Sequence, residues 1–552
     1  MEALIWILLP GFTAVASGLL AWFIMQSRME VKLAEQREIE PPAVETSQPT
    51  AYKVLIRRKR GTGHMGSGKT LCARVFVIML QALSLTLPLG GCLLNGDKPD
   101  PALDIPVSYT GVSAKPTVAE AALPPLDWWR SFRSRELTAI VEEARANNLD
   151  IAAAVARIVQ ADAQSRVTGA ALLPSVDLNA SATRSRPSQS TSSSTGVSLG
   201  ASEQNDLIGT LNASYEIDFW GKNRSALRAM EELAVASRHD REVVDLATVV
   251  SAANAYFQVL AAQDRLRVAR DNAASASRVL DLIKQRLAAG TASQLDVAQQ
   301  ESLLATQRAA VPPLEQTLKQ NRTALAILMG RAPEHVQVRG GSLRGIAFPR
   351  VTPGLPSELL TQRPDIREAE ANLAAANANV YNARAQFLPS ITLTGTAGYE
   401  SAVLKTLFRP ESALYSVAAG LAQPIFEGGR LTGNLDLQKG KQDELLQTYR
   451  KTVISAFGDV ENALDAIRRT AERERLQGEV VRSSREAFNI SEQRLREGTI
   501  DLVTVLQTQQ TLYQADDLLV QARLAHVQAI VSLYQALGGG WLPKPPEVAD
   551  AR

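Results

Sequence analysis

Four short stretches of the chain alternate apolar and polar residues, which is the pattern of strands that bury one face. They predict strands over about residues 175–186, 211–218, 390–400 and 414–423. A serine- and threonine-rich run at 188–202 separates the first two, so we expect them to form a hairpin around a polar loop. The last two stretches predict a second hairpin of the same kind.

Long helical patterns follow each hairpin. Residues 222–289 contain no proline, and apolar residues recur there with spacings of three and four, which predicts the heptad seam of a coiled coil. That seam comprises Val243, Leu246, Val250, Ala253, Phe257 and Leu260. At about 1.5 Å per residue, such a helix is about 100 Å long. A second proline-free stretch covers 425–542, and further helices are predicted over about 134–170, 294–328 and 359–385.

The second half of the chain repeats the first. Leu173-Pro174-Ser175 recurs 215 positions later as Leu388-Pro389-Ser390, and Gln285-Arg286-Leu287 recurs 208 positions later as Gln493-Arg494-Leu495. From Leu246 onward, the first seam displaced by 207 positions gives a second seam, at Val453, Phe457, Val460, Leu464 and Ile467. A duplication that pairs short amphipathic strands with very long helices indicates a channel of which one chain supplies a part.

Composition argues against several classes of function. The 59 basic and 57 acidic residues leave a net charge of +2, so no basic excess points to nucleic acid. The four histidines lie in unrelated contexts, which argues against a metal site, a cofactor or histidine-based catalysis. Both cysteines, Cys72 and Cys92, lie near the N-terminus, so no disulfide framework is expected downstream.

Cys92 is the candidate lipidation site. It follows an apolar run at 75–89 that basic residues precede, which predicts a lipoprotein signal peptide at 65–91. The residues directly before the cysteine form the lipobox: Leu89, Gly90 and Gly91. Cleavage there would leave Cys92 to carry a lipid such as palmitate, whereas the alternative is a buried cysteine in a membrane helix. Residues 92–125 lack periodicity and predict an extended tether.

Two interpretations stay open for residues 1–64. Residues 3–25 carry no charge and are long enough to span a bilayer, with a basic linker behind them. Alternatively, translation starts at Met65, and residues 1–64 are upstream sequence. Residues 63–70 also fit the spacing of a P-loop, in which Lys69 would reach nucleotide phosphates. An uninterrupted apolar run follows them instead of a βαβ unit, which favours a signal peptide over an NTPase.

The strand pattern itself points to a pore. Every backbone polar group in lipid must be hydrogen-bonded, so such strands need a closed barrel. Outer-membrane barrels use about eight or more strands, so a chain with four is expected to oligomerise around a water-filled lumen. The long helices would extend that tube, which predicts passive conduction and no catalysis. A coiled-coil structural or adhesive protein of the envelope would explain the helices and the lipid, but not the hairpins.

Several motifs together carry a family resemblance. They are Leu89-Gly90-Gly91-Cys92, Asp127-Trp128-Trp129, Tyr215-Glu216-Ile217-Asp218-Phe219-Trp220-Gly221, Leu359-Leu360-Thr361-Gln362-Arg363-Pro364-Asp365-Ile366, Pro424-Ile425-Phe426-Glu427-Gly428-Gly429-Arg430 and two Gly-Thr turns. With them the chain resembles TolC-type outer-membrane efflux channels, in their NodT-like lipoprotein branch. The resemblance implies a mainly α fold with membrane β: a homotrimer whose twelve-stranded transmembrane β-barrel, four strands per chain, continues into a coiled-coil helical barrel. The implied segments are a first repeat at 126–330, a linker at 331–356, a second repeat at 357–540 and a tail at 541–552.

The resemblance also implies partners and a location. The chain would be the lipid-anchored outer-membrane channel subunit of a tripartite efflux system, docked to a periplasmic adaptor and an inner-membrane pump. The turns after Gly290 and Gly498 would form the periplasmic tip, where the second helical pair closes the pore.

Four tip residues are candidates for the gate. Val503 and Gln507 fall where the family places an apolar and an acidic constriction residue. Gln507 departs from the acid, and a ring of amides would neither favour cations nor respond to pH. Asp296 and Asp501 are nearby acids that either belong to the gate or stand at helix ends, where Asp296 would cap its helix.

Overall fold

The computed structural model describes residues 124–186, 203–351 and 356–541, together with Gly354 and parts of 101–109. The segment 1–64, the signal peptide with its P-loop-like stretch, the lipobox and Cys92 lie outside the described residues. So do most of the predicted tether and the tail beyond Trp541.

The four predicted strands form one antiparallel sheet in the order β1-β2-β3-β4. Their bounds are β1 Ser175–Ser185, β2 Gln204–Ile217, β3 Ser390–Ser401 and β4 Ala413–Ala422. Both predicted hairpins are confirmed, although β2 begins seven residues earlier than its alternation indicated. Strands β2 and β3 pair from Leu207 with Ser401 to Ile217 with Ile391, so the two repeats share one sheet.

Two helices of 67 residues each confirm the long periodic patterns: α3, Lys222–Ala288, and α8, Arg430–Arg496. Both begin after a glycine with positive φ, 73° at Gly221 and 86° at Gly429, a conformation that residues with a Cβ rarely adopt. α4 (Gln294–Ala309) and α5 (Val311–Leu328) return along α3, and α9 (Leu502–Ala536) returns along α8. Each repeat therefore supplies a sheet hairpin and a helical hairpin.

The helix expected over 134–170 is two helices, which corrects the prediction. They are α1, Arg135–Asn147, and α2, Leu149–Gly169. The side chain of Asn148 between them accepts hydrogen bonds from the backbone N–H groups of Asp150 (2.9 Å) and Ile151 (3.1 Å). This cap competes with helix continuation, and the Asn148 amide also donates to the Leu328 carbonyl at 3.0 Å.

Proline breaks the other two predicted helices. The span 294–328 divides into α4 and α5, because Pro312 and Pro313 have no N–H groups to donate to carbonyls one turn earlier. The span 359–385 begins at Pro356 and divides at Arg363, which takes extended φ and ψ of −99° and 122° before Pro364. The resulting helices are α6, Pro356–Gln362, and α7, Pro364–Ala385.

The main core lies where α1, α3, α5 and α9 meet. Trp128 stacks on Tyr534 with ring centroids 4.7 Å apart, and Phe132 contacts Phe257 at 5.2 Å. The predicted α3 seam runs through this core, with these members buried: Val250, Ala253, Phe257 and Leu260. The irregular segment 331–351 also packs here, since Asp264 accepts hydrogen bonds from the Leu343 N–H (3.0 Å) and the Ser342 hydroxyl (2.9 Å).

A second core belongs to the second repeat. Val453 and Val460 of the second seam are fully buried there beside Leu533 of α9. Tyr109, from the described part of the tether, is buried in the same cluster, and Arg450 donates to the Pro101 carbonyl at 2.7 Å. The described middle part of the predicted tether therefore packs against this core.

Candidate functional site

The sheet separates its side chains into an apolar and a polar face. Directly paired residues point to the same face of an antiparallel sheet. One such row across the four strands is apolar: Leu178, Leu211, Ala397 and Tyr415. The adjacent row is polar: Asp177, Asn212, Thr396 and Ser416. The Thr396 hydroxyl donates to the Asn212 side-chain oxygen at 2.9 Å, so the polar face is linked across β2 and β3.

The apolar face is open over the described part of the chain. Tyr415 is 86% exposed and Val417 84%, and Leu178 is 76% exposed at the opposite edge of the sheet. An exposed apolar face of this extent marks a surface that meets lipid or another apolar partner.

Aromatic and apolar side chains collect where the strands meet the long helices. The rings of Phe219 and Trp220 contact edge to face at 4.7 Å, and the Trp220 indole N–H donates to the Pro389 carbonyl at 2.8 Å. In the second repeat, Ile425 and Phe426 stand at the equivalent place and are almost fully exposed. Such a belt is typical of a membrane–water interface, where rings with one polar edge are favoured.

The opposite end of the molecule is built from two turns with the same geometry. Gly290 and Gly498 follow the long helices with φ of 71° and 73°. Behind them the Thr291 N–H donates to the Arg286 carbonyl and the Thr499 N–H to the Arg494 carbonyl, each at 2.9 Å. This is a Schellman end, which requires a left-handed residue and so selects glycine. The repeated Gln-Arg-Leu and Gly-Thr motifs are therefore two copies of one helix end.

Both predicted tip acids act as helix caps. Asp296 forms a capping box with Ser293: its carboxylate accepts from the Ser293 N–H at 2.7 Å, and the Asp296 N–H donates to the Ser293 hydroxyl at 3.2 Å. Asp501 accepts from the Thr504 N–H at 2.8 Å at the start of α9, and this hydrogen bond lowers the pKa of the Asp501 carboxyl. The capping role expected for Asp296 is confirmed, and a gating role for either acid stays a prediction.

Val503 and Gln507 lie on one exposed face of α9, one turn apart, directly above the tip turn. Their neighbours Leu502 and Val505 point the other way, into a tip core shared by both helical hairpins. The two candidates are therefore free to line a passage. That they form its constriction stays a prediction.

Two tip features are not predicted by the sequence pattern. The guanidinium of Arg286 donates to the Leu495 carbonyl, so it bridges the C-terminal ends of α3 and α8. Gln300 and Gln509 are fully buried, and the Gln300 amide donates to the Ala276 carbonyl at 2.9 Å. The recurrence of Gln-Arg-Leu marked Arg286 as part of a repeat, but its contact with the other repeat is visible only in three dimensions.

The described residues contain no group of three or more His, Cys, Asp or Glu side chains arranged to hold a metal ion. The candidate functional regions of the described residues are the two faces of the sheet, the aromatic belt and the helix ends at the tip.

Comparisons with known proteins agree on one family. The family model described as "Outer membrane efflux protein" matches residues 140–331 and 355–539. The chain is 40% identical over 463 residues to the pyoverdine export outer membrane protein OpmQ of Pseudomonas putida, covering 83% of this chain and 98% of that one. It is 33% identical over 468 residues to the toluene efflux pump outer membrane protein TtgF of Pseudomonas putida, covering 83% and 96%.

Solved structures show the same fold. The outer-membrane channel OprN matches with a TM-score of 0.75 and 28% identity, over 81% of this chain and 99% of that one. The CmeC outer membrane channel of Campylobacter jejuni matches with a TM-score of 0.75 and 26% identity, over 81% and 95%.

Proposed function

Because the chain belongs to the outer membrane efflux protein family, we propose that it is the channel subunit of a tripartite efflux system. In that role it passively conducts small molecules that an inner-membrane pump delivers through a periplasmic adaptor. The family consists of outer-membrane channel proteins and not of enzymes. The observation that carries the proposal is the one-sided sheet, which continues through Gly221 and Gly429 into two helices of 67 residues.

Closure of the barrel requires more than one copy. Strands β1 and β4 are the two edges of the sheet, and an unpaired edge is unstable in lipid. If β4 of one copy pairs with β1 of the next, three copies give twelve strands, which is within the range of outer-membrane barrels. The apolar face then meets lipid, and the polar face lines the lumen.

The internal repeat indicates how the helices close as well. In the second repeat, α7 packs between α3 and α8, and its Asn382 amide donates to the Lys222 carbonyl of α3 at 2.7 Å. Its counterpart α2 packs along α3 but along no second long helix of the described chain. The α2 stripe, defined as Val155, Val159, Ala163 and Val167, lies 215 positions before residues of α7 such as Asn382. We place α8 of the neighbouring copy against this stripe, so that the sheet and helices close with one symmetry.

A lipid anchor fits this arrangement. Cys92 stands nine residues before Pro101, which contacts α8 through Arg450. A lipid on Cys92 would hold the N-terminal end of the tether at the membrane. Mass spectrometry of the mature N-terminus checks the proposal: a diacyl or triacyl adduct on Cys92 supports it, and an unmodified residue 92 contradicts it.

The gate is proposed at the tip. Opening would need the tip helices to slide or untwist, driven by contacts that the adaptor makes better with the open state. In the closed state Val503 and Gln507 narrow the passage. Single-channel conductance of the reconstituted protein tests this step: replacing both residues by alanine should raise the conductance, and an unchanged value would remove them from the constriction.

For the cargo we propose a molecule of the pyoverdine kind, because the pyoverdine exporters are more similar to this chain than the toluene efflux protein is. The test is expression in Pseudomonas putida strains that lack either their own pyoverdine exporter or their toluene exporter. Restored secretion of pyoverdine without restored survival in toluene supports the proposal. The opposite pattern assigns the chain to solvent efflux.

A further inference from the structure

A groove of about 470 Å³ opens between the two helical hairpins, where α4 and α5 meet α3 and α9. We call it the amide groove, because its walls carry the side chains of Asn272, Gln307, Gln510 and Gln514. Its volume falls within the range of about 300–1,000 Å³ typical of small-molecule sites. Neither the family match nor the relatives' names assign a ligand to this place.

The groove results from the proline break in the first repeat. Ala310 and Pro313, at the junction of α4 and α5, form part of its wall. The counterpart of α4 and α5 in the second repeat is the single helix α9, which runs unbroken from Leu502 to Ala536. The break at the junction of α4 and α5 is therefore a feature of the first helical hairpin alone, and α9 of the second hairpin forms the opposite wall of the groove.

The side-chain amide of Asn272 is the group in the groove that points most directly to a ligand. Its side chain lines the groove, and the residue is only 9% exposed. No hydrogen bond from a described residue reaches its amide, and this amide is not among the fully enclosed side-chain groups without a partner, so it meets the water of the groove. A solute that supplies a donor and an acceptor would satisfy it.

The charges of the groove cancel. Arg265 and Asp517 stand in its wall as an ion pair at 2.6 Å, and the other polar lining groups are amides and hydroxyls. Apolar side chains such as Val268 and Leu303 cover part of the surface. Amide side chains both donate and accept, as peptide groups do. The lining therefore suits a neutral or zwitterionic solute rich in amide groups, and it offers no net charge to an anion or a cation.

The groove stands on the proposed path. Gln510 and Gln514 share the face of α9 that carries Val503 and Gln507, because steps of three, four and seven residues return to the same side of a helix. They lie about 5–10 Å farther from the tip than Gln507. We propose that the amide groove binds amide-bearing, peptide-like solutes directly after they pass the constriction, an inference that rests on the proposed channel function.

Equilibrium binding tests the site. Isothermal titration of the detergent-purified full chain uses a neutral blocked tripeptide of asparagine and serine, with polyethylene glycol of equal size as the comparison probe. We expect saturable binding of the tripeptide alone. Asn272→Leu and Gln514→Leu should each raise its dissociation constant about fivefold, which corresponds to the roughly 1 kcal/mol of one neutral hydrogen bond.

A matched control is Gln528→Leu, which removes an amide from the same side of α9 about 21 Å farther along and outside the groove. It should leave binding unchanged. Asn272→Leu should also not lower the melting temperature of the ligand-free protein, since the Asn272 amide contacts only water there. A marked drop would show that Asn272 has a structural partner and would overturn the argument.

Two further outcomes overturn the proposal: no binding of the tripeptide to the unaltered chain, or binding that Asn272→Leu and Gln514→Leu leave unchanged. Single-channel recording separates this failure from failure of the channel function. If the protein conducts but does not bind the tripeptide, the proposed channel function stands and the proposed binding site is wrong. If it binds the tripeptide but does not conduct, the binding site stands and the proposed channel function is wrong.

Discussion

Single carboxylates at the tip set the start of the returning helices, and Asp501 gives a test with a pH dependence. Its pKa lies below the ordinary value of 3.8, because the charged form accepts the Thr504 N–H. The contribution of this cap to stability is therefore fully present above that value and is lost as the pH falls through the lowered pKa.

We predict that Asp501→Ala increases amide hydrogen exchange at 502–505 at pH 7, whereas Asp501→Asn, which keeps a capping oxygen, changes it little. On acidification, the melting temperature of the unaltered chain should approach that of the alanine variant. Equal exchange in all three proteins at pH 7 would show that the cap does not hold the start of α9.

Two strand glycines differ sharply in the space around them. A Cβ on Gly398 would stand 2.1 Å from the Gly209 carbonyl oxygen and 2.7 Å from the Thr210 Cα, both on the paired strand β2. A Cβ on Gly420 would meet nothing closer than the Thr392 carbonyl oxygen at 3.9 Å.

We therefore predict that Gly398→Ala disrupts the β2–β3 pairing that joins the repeats, at the cost of about 1–3 kcal/mol typical of overpacking. Gly420→Ala should assemble normally. The measurement is the amount of heat-resistant oligomer in the outer-membrane fraction. Equal amounts for the two variants would mean that β2 and β3 are not packed as described.

At the scale of elements, a substitution in the α2 stripe should affect assembly of the oligomer without affecting folding of the chain. Val159 is 61% exposed within one chain and stands where the proposed neighbour packs. Val159→Asp should therefore leave helix content unchanged and greatly reduce the oligomer. Gln164→Asp, on another exposed side of α2, is the matched control and should assemble. Normal assembly of the Val159 variant would place the interface elsewhere.

Periodicity predicted the elements whose pattern is long and regular. The two heptad seams predicted the long helices α3 and α8, and the alternation of apolar and polar residues predicted the positions of the strands. The breaks at Asn148 and Ala310 were missed, because a side-chain cap or a missing N–H acts over one turn, while periodicity extends across it. The bridge from Arg286 and the groove-lining amide of Asn272 were beyond sequence reasoning, since each depends on which helix of the other repeat lies beside it.

At the scale of the whole molecule, comparison of the two repeats shows which contacts a single chain leaves unmade. Within the described residues the sheet has four strands and two unpaired edges, β1 and β4, and helix α2 lacks the second long-helix neighbour that its counterpart α7 has. The proposed rotation, which brings the second repeat of one copy against the first repeat of the next, would supply both the missing strand pairing and the missing helix neighbour. A ring of identical chains is therefore proposed as the functional unit.

Electron cryo-microscopy of the purified full chain in lipid nanodiscs tests this claim most directly. We predict three copies around one axis, with β4 of each copy paired to β1 of the next, a water-filled lumen and α8 of the neighbour on the α2 stripe. A single copy, another number of copies, or a ring in which β1 and β4 remain unpaired would contradict the account.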